Sequence, residues 1–223
     1  MERNPVVAAP RVEARASALA TNKVLRNTYL LLSATLGFSA LVAFVAAAVG
    51  MPYLGPWITI GGYFALLYAV TKTAESGWGL VWVFALTGFM GLTIGPIVSA
   101  YARAFPDGHS LVVTAFGITA VAFLALSAYA IRSGRRFSFM GGFLTVGIIT
   151  AFLLGIVALV FSMPTLSLVV SGLFVMLMSG LILYETGEIL HGGETNYIRA
   201  TVTLYVSIYN MFMSLLHILG SNR

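Results

Sequence analysis

The chain has no cysteine and very few charged residues. The absence of cysteine excludes a disulfide framework and a thiolate metal site. Charged residues make up 9% of the 223 positions and hydrophobic residues 59%, whereas soluble domains carry about 25% charged residues. A soluble fold of this length could not bury so much apolar surface. The composition therefore predicts an integral membrane protein of the all-α, polytopic class.

Signatures of soluble enzymes are also missing. The sequence has no GxSxG motif, no Walker loop and no HExxH motif, and its three histidines are scattered. We therefore expect neither an enzyme nor a cofactor. The net charge of +5 does not indicate nucleic-acid binding, because Lys and Arg mark the cytoplasmic side of a membrane protein.

Uncharged stretches predict where the chain crosses the bilayer. A hydrocarbon core of ~30 Å requires about 20 apolar residues per helix. The uncharged stretches predict seven transmembrane helices in one domain. They lie at about residues 29–49, 54–71, 76–102, 110–131, two within 137–184 that are separated at 161–167, and 197–220.

Basic residues predict the orientation. Ten of the twelve Lys and Arg residues fall on one side of the predicted spans, which places the N-terminus in the cytoplasm and the C-terminus in the periplasm. The ten are Arg3, Arg11, Arg15, Lys23, Arg26, Lys72, Arg132, Arg135, Arg136 and Arg199, and the other two are Arg103 and Arg223. Residues 1–22 are rich in Ala, Pro and Arg and cannot form a core, so we expect a flexible cytoplasmic tail before a membrane domain at 23–223.

Span three contains a small-residue motif. Gly91 and Gly95 form a GxxxG pair, which allows close helix approach, and Pro96 removes a backbone donor. Tight packing is the first interpretation. A hinge or pore-lining kink is the alternative.

A charged stretch lies at the end of span six. Glu185 is about 7–8 Å inside the span end at ~1.5 Å per residue. A carboxylate at that depth is costly unless it reaches water, is protonated or has a partner. It is thus either a proton-sensing or gating group or a side chain that reaches the cytoplasmic interface. The residues predicted to form a wet cytoplasmic mouth below it are Glu188, His191, Glu194 and Arg199.

Two patterns near Glu185 bear on its chemistry. The ExxH spacing of Glu188 and His191 is typical of half a di-iron site, but no second motif exists, so no metal site is expected. Ser207 and Asn210 share one face of span seven at i, i+3 and are predicted to hydrogen-bond toward span six.

Several longer motifs resemble a known family. The stretches TGFMGLTIGPIVSAY, ILYETGEI and ATVTLYVSIYNMFMSLL together resemble the Bax inhibitor-1 family, also called transmembrane Bax inhibitor motif proteins. NKVLRNTYLLLS and HGGETNYIRATVTLYVS are similar to a bacterial inner-membrane subgroup. The resemblance covers nearly the whole chain after residue 22, and it implies six helices around a central seventh.

The resemblance implies two functions. For bacterial relatives, the resemblance implies a pH-sensitive calcium leak. In those relatives two acids, one in span six and one in span seven, share a proton. Glu185 keeps the first acid, but Ser207 replaces the second, which weakens proton sharing and calcium ligation. A basic latch residue of such relatives falls near Lys72 or Thr73. The subgroup implies instead association with the membrane protease FtsH and its prohibitin-like partners, as both substrate and modulator. We rank this function first and the calcium or cation leak second.

Overall fold

The computed structural model describes residues 9–221, and side chains from residue 21 onward. Within these residues the chain forms seven α-helices, which confirms the all-α class. They are α1 (Ala9–Ala48), α2 (Pro56–Thr73), α3 (Trp78–Ala104), α4 (Gly108–Ser133), α5 (Gly141–Val160), α6 (Pro164–His191) and α7 (Tyr197–Ser221). A 3₁₀ turn, Ser138–Met140, precedes α5.

Proline and glycine set several helix boundaries. Pro56 and Pro164 open α2 and α6, where the missing N–H costs no helical bond. α4 and α6 end at Gly134 and Gly192, whose φ values of 58° and 74° lie in the left-handed region. The connections are short, so the end of each helix lies close to the start of the next one.

Six of the helical segments are long and apolar enough to cross a membrane. They are Thr21–Ala48 within α1, α3, α4, the 3₁₀ turn with α5, α6 and α7, and this confirms a polytopic membrane protein. α2 has only 18 residues, about 27 Å at 1.5 Å per residue. It nevertheless joins opposite ends of the bundle. Tyr53, just before α2, shares a cavity with Arg103, and Ala74, just after α2, contacts Asn196. The seventh crossing stays a prediction.

The first helix overlaps the predicted tail. α1 begins at Ala9, so residues 9–22 are helical where composition predicted an irregular segment. Ala and Arg cannot form a core, but both have high helix propensity. Residues 1–8 lie outside the described residues. The domain boundary at 22/23, the flexibility of the tail and its cytoplasmic location stay predictions.

Glycines bring α1 and α3 into close contact. A Cβ added at Gly91 or Gly95 would lie 2.5 Å from the backbone oxygen of Ser39 or Ala43, respectively. The GxxxG face of α3 therefore packs on the α1 backbone, as tight packing requires. Pro96 lies inside α3, which continues past it to Ala104. A hinge at Pro96 stays a prediction.

α7 is extensively packed. It contacts α1, α2, α3, α4 and α6, and Leu204, Tyr205 and Met211 are among its buried residues. An arrangement of six helices around α7 stays a prediction.

Candidate functional site

Six helix ends converge around the connection between α6 and α7. We call this region the α6–α7 end. It comprises residues 72–77, 132–141 and 185–199. A polar cavity of ≈ 400 Å³ lies there, lined by residues 74–77, Leu80 and residues 195–198. The start of α7 therefore faces the connection between α2 and α3 across this cavity.

Asn196 holds this end together. Its Oδ1 accepts hydrogen bonds from the backbone N–H of Ile198 (2.9 Å) and of Arg199 (3.2 Å), which caps the N-terminus of α7. Its Nδ2 donates to the backbone oxygen of Ala74, 2.9 Å away, just beyond α2. Sequence reasoning missed Asn196, although an Asn directly before an apolar helical run is an N-cap signal.

Glu194 and Arg199 complete the polar surface. Glu194 Oε1 accepts from the backbone N–H of Asn196 at 2.7 Å. Arg199 pairs with Glu75 at 2.8 Å, and the two side chains are 46% and 76% exposed. An ion pair that is this exposed contributes little to the stability of the fold. Glu194 and Arg199 both belong to the set of residues predicted to form the cytoplasmic mouth.

His191 bridges α6 and the end of α4. Its Nδ1 lies 2.8 Å from the backbone oxygen of Gly187, and its Nε2 lies 3.1 Å from that of Gly134. Carbonyl oxygens only accept hydrogen bonds, so both bonds form together only when both ring nitrogens carry protons. The carbonyls at helix C-termini also favour a cation.

Glu188 turns toward the connection. Its carboxylate lies against Gly193, so closely that a side chain at Gly193 would collide with it. Glycine is therefore required there unless Glu188 moves. Among the residues whose side chains are described, no group of three or more His, Cys, Asp or Glu could hold a metal ion.

Glu185 is buried within α6. Glu185 is only 6% exposed. Within residues 21–221, no group forms a hydrogen bond with its Oε1. A carboxylate so buried does not extend to the surface of the protein, and a proton-sensing or gating role for Glu185 stays a prediction.

Ser207 and Asn210 do not make the expected bonds to α6. Ser207 Oγ donates to the backbone oxygen of Thr203 at 2.8 Å, and Asn210 Nδ2 donates to that of Val206 at 2.9 Å. Both bonds stay within α7, because these side chains readily reach the carbonyl four residues earlier. Within the described side chains, no hydrogen bond joins Ser207 to Glu185. A gating role for the three residues stays a prediction.

Two tyrosines fasten α7 to its neighbours. Tyr205 Oη lies 2.6 Å from Ser39 Oγ on α1, and Tyr209 Oη lies 3.2 Å from Thr93 Oγ1 on α3. Their i, i+4 spacing puts both on one face of α7. The spacing is visible in the sequence, but the hydroxyl partners are not.

Known proteins resemble the chain over most of its length. The Bax1-I family model, described as inhibitor of apoptosis-promoting Bax1, matches residues 21–223. The chain is 47% identical to a protein named Modulator of FtsH protease YccA from Escherichia coli strain K12, over 92% of this chain and 93% of the relative. A relative of the same identity and coverage from Escherichia coli O6:H1 is named Inner membrane protein YccA. An uncharacterized Pseudomonas aeruginosa protein is also 47% identical, over 88% of each chain.

Proposed function

The chain belongs to the Bax1-I family, and on that premise we propose that it binds and modulates an FtsH-type membrane protease and is also its substrate. The observation that carries the proposal is the 47% identity, over 92% of the chain, to a relative named as a modulator of FtsH protease. The similarity extends over nearly the whole chain and is not confined to one shared motif.

The proposed site of action is the inner membrane. The six apolar helices and the inner-membrane relative support a multi-pass protein there. The bias of Lys and Arg supports a cytoplasmic N-terminus and a periplasmic C-terminus. In this orientation the α6–α7 end faces the cytoplasm. Prohibitin-like proteins are the expected partners of the complex. We assign no catalytic residue to the chain itself.

The test is reconstitution with a purified FtsH-type protease in liposomes. The chain should co-purify with the protease after solubilisation and slow the degradation of a second membrane substrate. An unrelated polytopic protein at the same molar ratio is the control. Failure to co-purify together with unchanged degradation would reject the proposal.

The N-terminal segment is the proposed handle for degradation. Deleting residues 2–20 should slow turnover of the chain, because a chain terminus is where unfolding by the protease can start. Binding should persist, since the membrane domain remains intact. Unchanged turnover would remove the segment as the handle without removing the modulator function.

A pH-sensitive calcium or cation leak is the second candidate function. The buried Glu185, whose Oε1 has no partner within residues 21–221, favours it. Ser207 weakens it, since a hydroxyl bonded within its own helix offers neither a second acid nor a charged calcium ligand.

A further inference from the structure

Two arginines lie on the connection between α4 and α5, and a third lies in the last turn of α4. Arg132, Arg135 and Arg136 are all exposed. Within residues 21–221 the single ion pair joins Arg199 to Glu75, so none of the three guanidinium groups is paired with a carboxylate there. Five positions thus carry three positive charges at one edge of the bundle.

The connection that carries these arginines is anchored. The backbone oxygen of Gly134 lies 3.1 Å from His191 Nε2, which ties the connection to α6. Phe137, only 8% exposed, packs against Tyr129 and beneath Gly187. The backbone flanking the guanidinium groups is therefore held in place, which lowers the entropic cost of binding a ligand.

An apolar surface begins next to the arginines. Phe139 and Phe143 are 82% and 70% exposed, and both belong to a segment apolar enough to cross the membrane. They are suited to contact acyl chains. Positive charge beside a lipid-facing surface matches an amphiphile with a negative headgroup.

We propose that the α4–α5 connection binds the phosphate headgroup of an anionic phospholipid. Guanidinium groups bind phosphate oxygens through paired hydrogen bonds, and Phe139 and Phe143 pack against the acyl chains. His191 is a positioning residue, because its Nε2 lies 3.1 Å from the backbone oxygen of Gly134 and ties the connection to α6. This proposal does not depend on the protease-modulator function.

The test measures lipid binding by the full-length protein. The purified chain is titrated with phosphatidylglycerol or phosphatidylcholine, and binding is followed by native mass spectrometry. The double variant Arg135→Gln/Arg136→Gln should bind phosphatidylglycerol about tenfold more weakly than the wild type. The control Lys23→Gln/Arg26→Gln removes two exposed positive charges from α1. It should bind phosphatidylglycerol about as tightly as the wild type.

Further measurements distinguish a lipid headgroup from inorganic phosphate as the bound group. Inorganic phosphate should fail to displace the lipid, because it lacks the acyl chains. Arg135→Lys/Arg136→Lys, which preserves charge and guards against misfolding of the Gln variant, should show an intermediate loss, since Lys cannot form the paired bonds. Equal loss in both Gln variants, equal binding of phosphatidylcholine, or complete displacement by inorganic phosphate would overturn the proposal.

Discussion

The hydroxyl groups of Tyr205 and Ser39 lie 2.6 Å apart and join α7 to α1 at a buried position. Tyr205→Phe should lower the free energy of unfolding by about 1 kcal/mol, because it leaves the Ser39 hydroxyl without its partner. Unfolding in mixed detergent micelles measures the change.

The double variant Tyr205→Phe/Ser39→Ala tests the origin of that loss. Removing both hydroxyl groups leaves neither member of the pair without its partner, so the double variant should be less destabilised than the sum of the two single variants. Strict additivity would mean that the hydrogen bond contributes nothing measurable.

Gly91 tests the close packing of α3 on α1. Gly91→Ala should destabilise the bundle, because the added methyl group would lie 2.5 Å from the backbone oxygen of Ser39 and neither backbone can yield without moving a helix. Gly37→Ala is the control, since its added carbon has nothing within 4 Å. We expect a loss of about 1–3 kcal/mol for Gly91→Ala and none for Gly37→Ala. Equal melting temperatures for the two variants would contradict the packing.

His191 should hold the α4–α5 connection against α6. Its ring nitrogens lie 2.8 Å from the backbone oxygen of Gly187 and 3.1 Å from that of Gly134. His191→Ala removes both contacts, so the connection should become more mobile.

The chain has no native cysteine, so spin labels can be placed specifically. Labels on Ser138→Cys and Thr195→Cys should show a narrow distance distribution with His191 present and a broader one in His191→Ala. An equally narrow distribution in His191→Ala would show that His191 does not control the connection.

Glu185 distinguishes the two candidate functions. The wild type should leak little calcium from liposomes, because Ser207 supplies no second acid. Ser207→Asp should create a pH-dependent leak by restoring paired acids, and Glu185→Gln in that background should abolish the pH dependence. The control is Ser214→Asp, which places an acid at another buried position of α7. Glu185→Gln alone should leave protease binding intact. A strong, pH-gated calcium flux through the wild type would reverse our ranking.

Orientation can be tested at the C-terminus. Alkaline phosphatase fused after Arg223 should be active and green fluorescent protein should be dark, because seven crossings from a cytoplasmic N-terminus end in the periplasm. A fluorescent fusion with inactive phosphatase would contradict seven crossings that start from a cytoplasmic N-terminus.

The sequence predicts the helices closely because charge-free stretches mark the segments in contact with lipid. The predicted span at 110–131 corresponds to Gly108–Ser133, and the span at 197–220 to Tyr197–Ser221. The crossing by α2 is harder to predict, since this helix has several polar residues and only 18 residues in all. The family was also predictable, because its motifs are long and contiguous.

Contacts between helix ends could not be predicted in the same way. The bonds of Asn196 to Ala74 and of His191 to Gly134 join positions 122 and 57 residues apart. Hydrophobic periodicity identifies the helices but does not specify which ends meet. For Ser207 the prediction chose a partner on α6, whereas the hydroxyl bonds the nearer carbonyl of Thr203.

The tyrosines of α7 have a consequence for biosynthesis. The ribosome makes α7 after α1 and α3, so Ser39 and Thr93 enter the bilayer before Tyr205 and Tyr209 exist to pair with them. Until α7 docks, the hydroxyl groups of Ser39 and Thr93 lack the tyrosine partners that they have in the folded chain. A chain stalled before Tyr197 therefore lacks both of these contacts between helices.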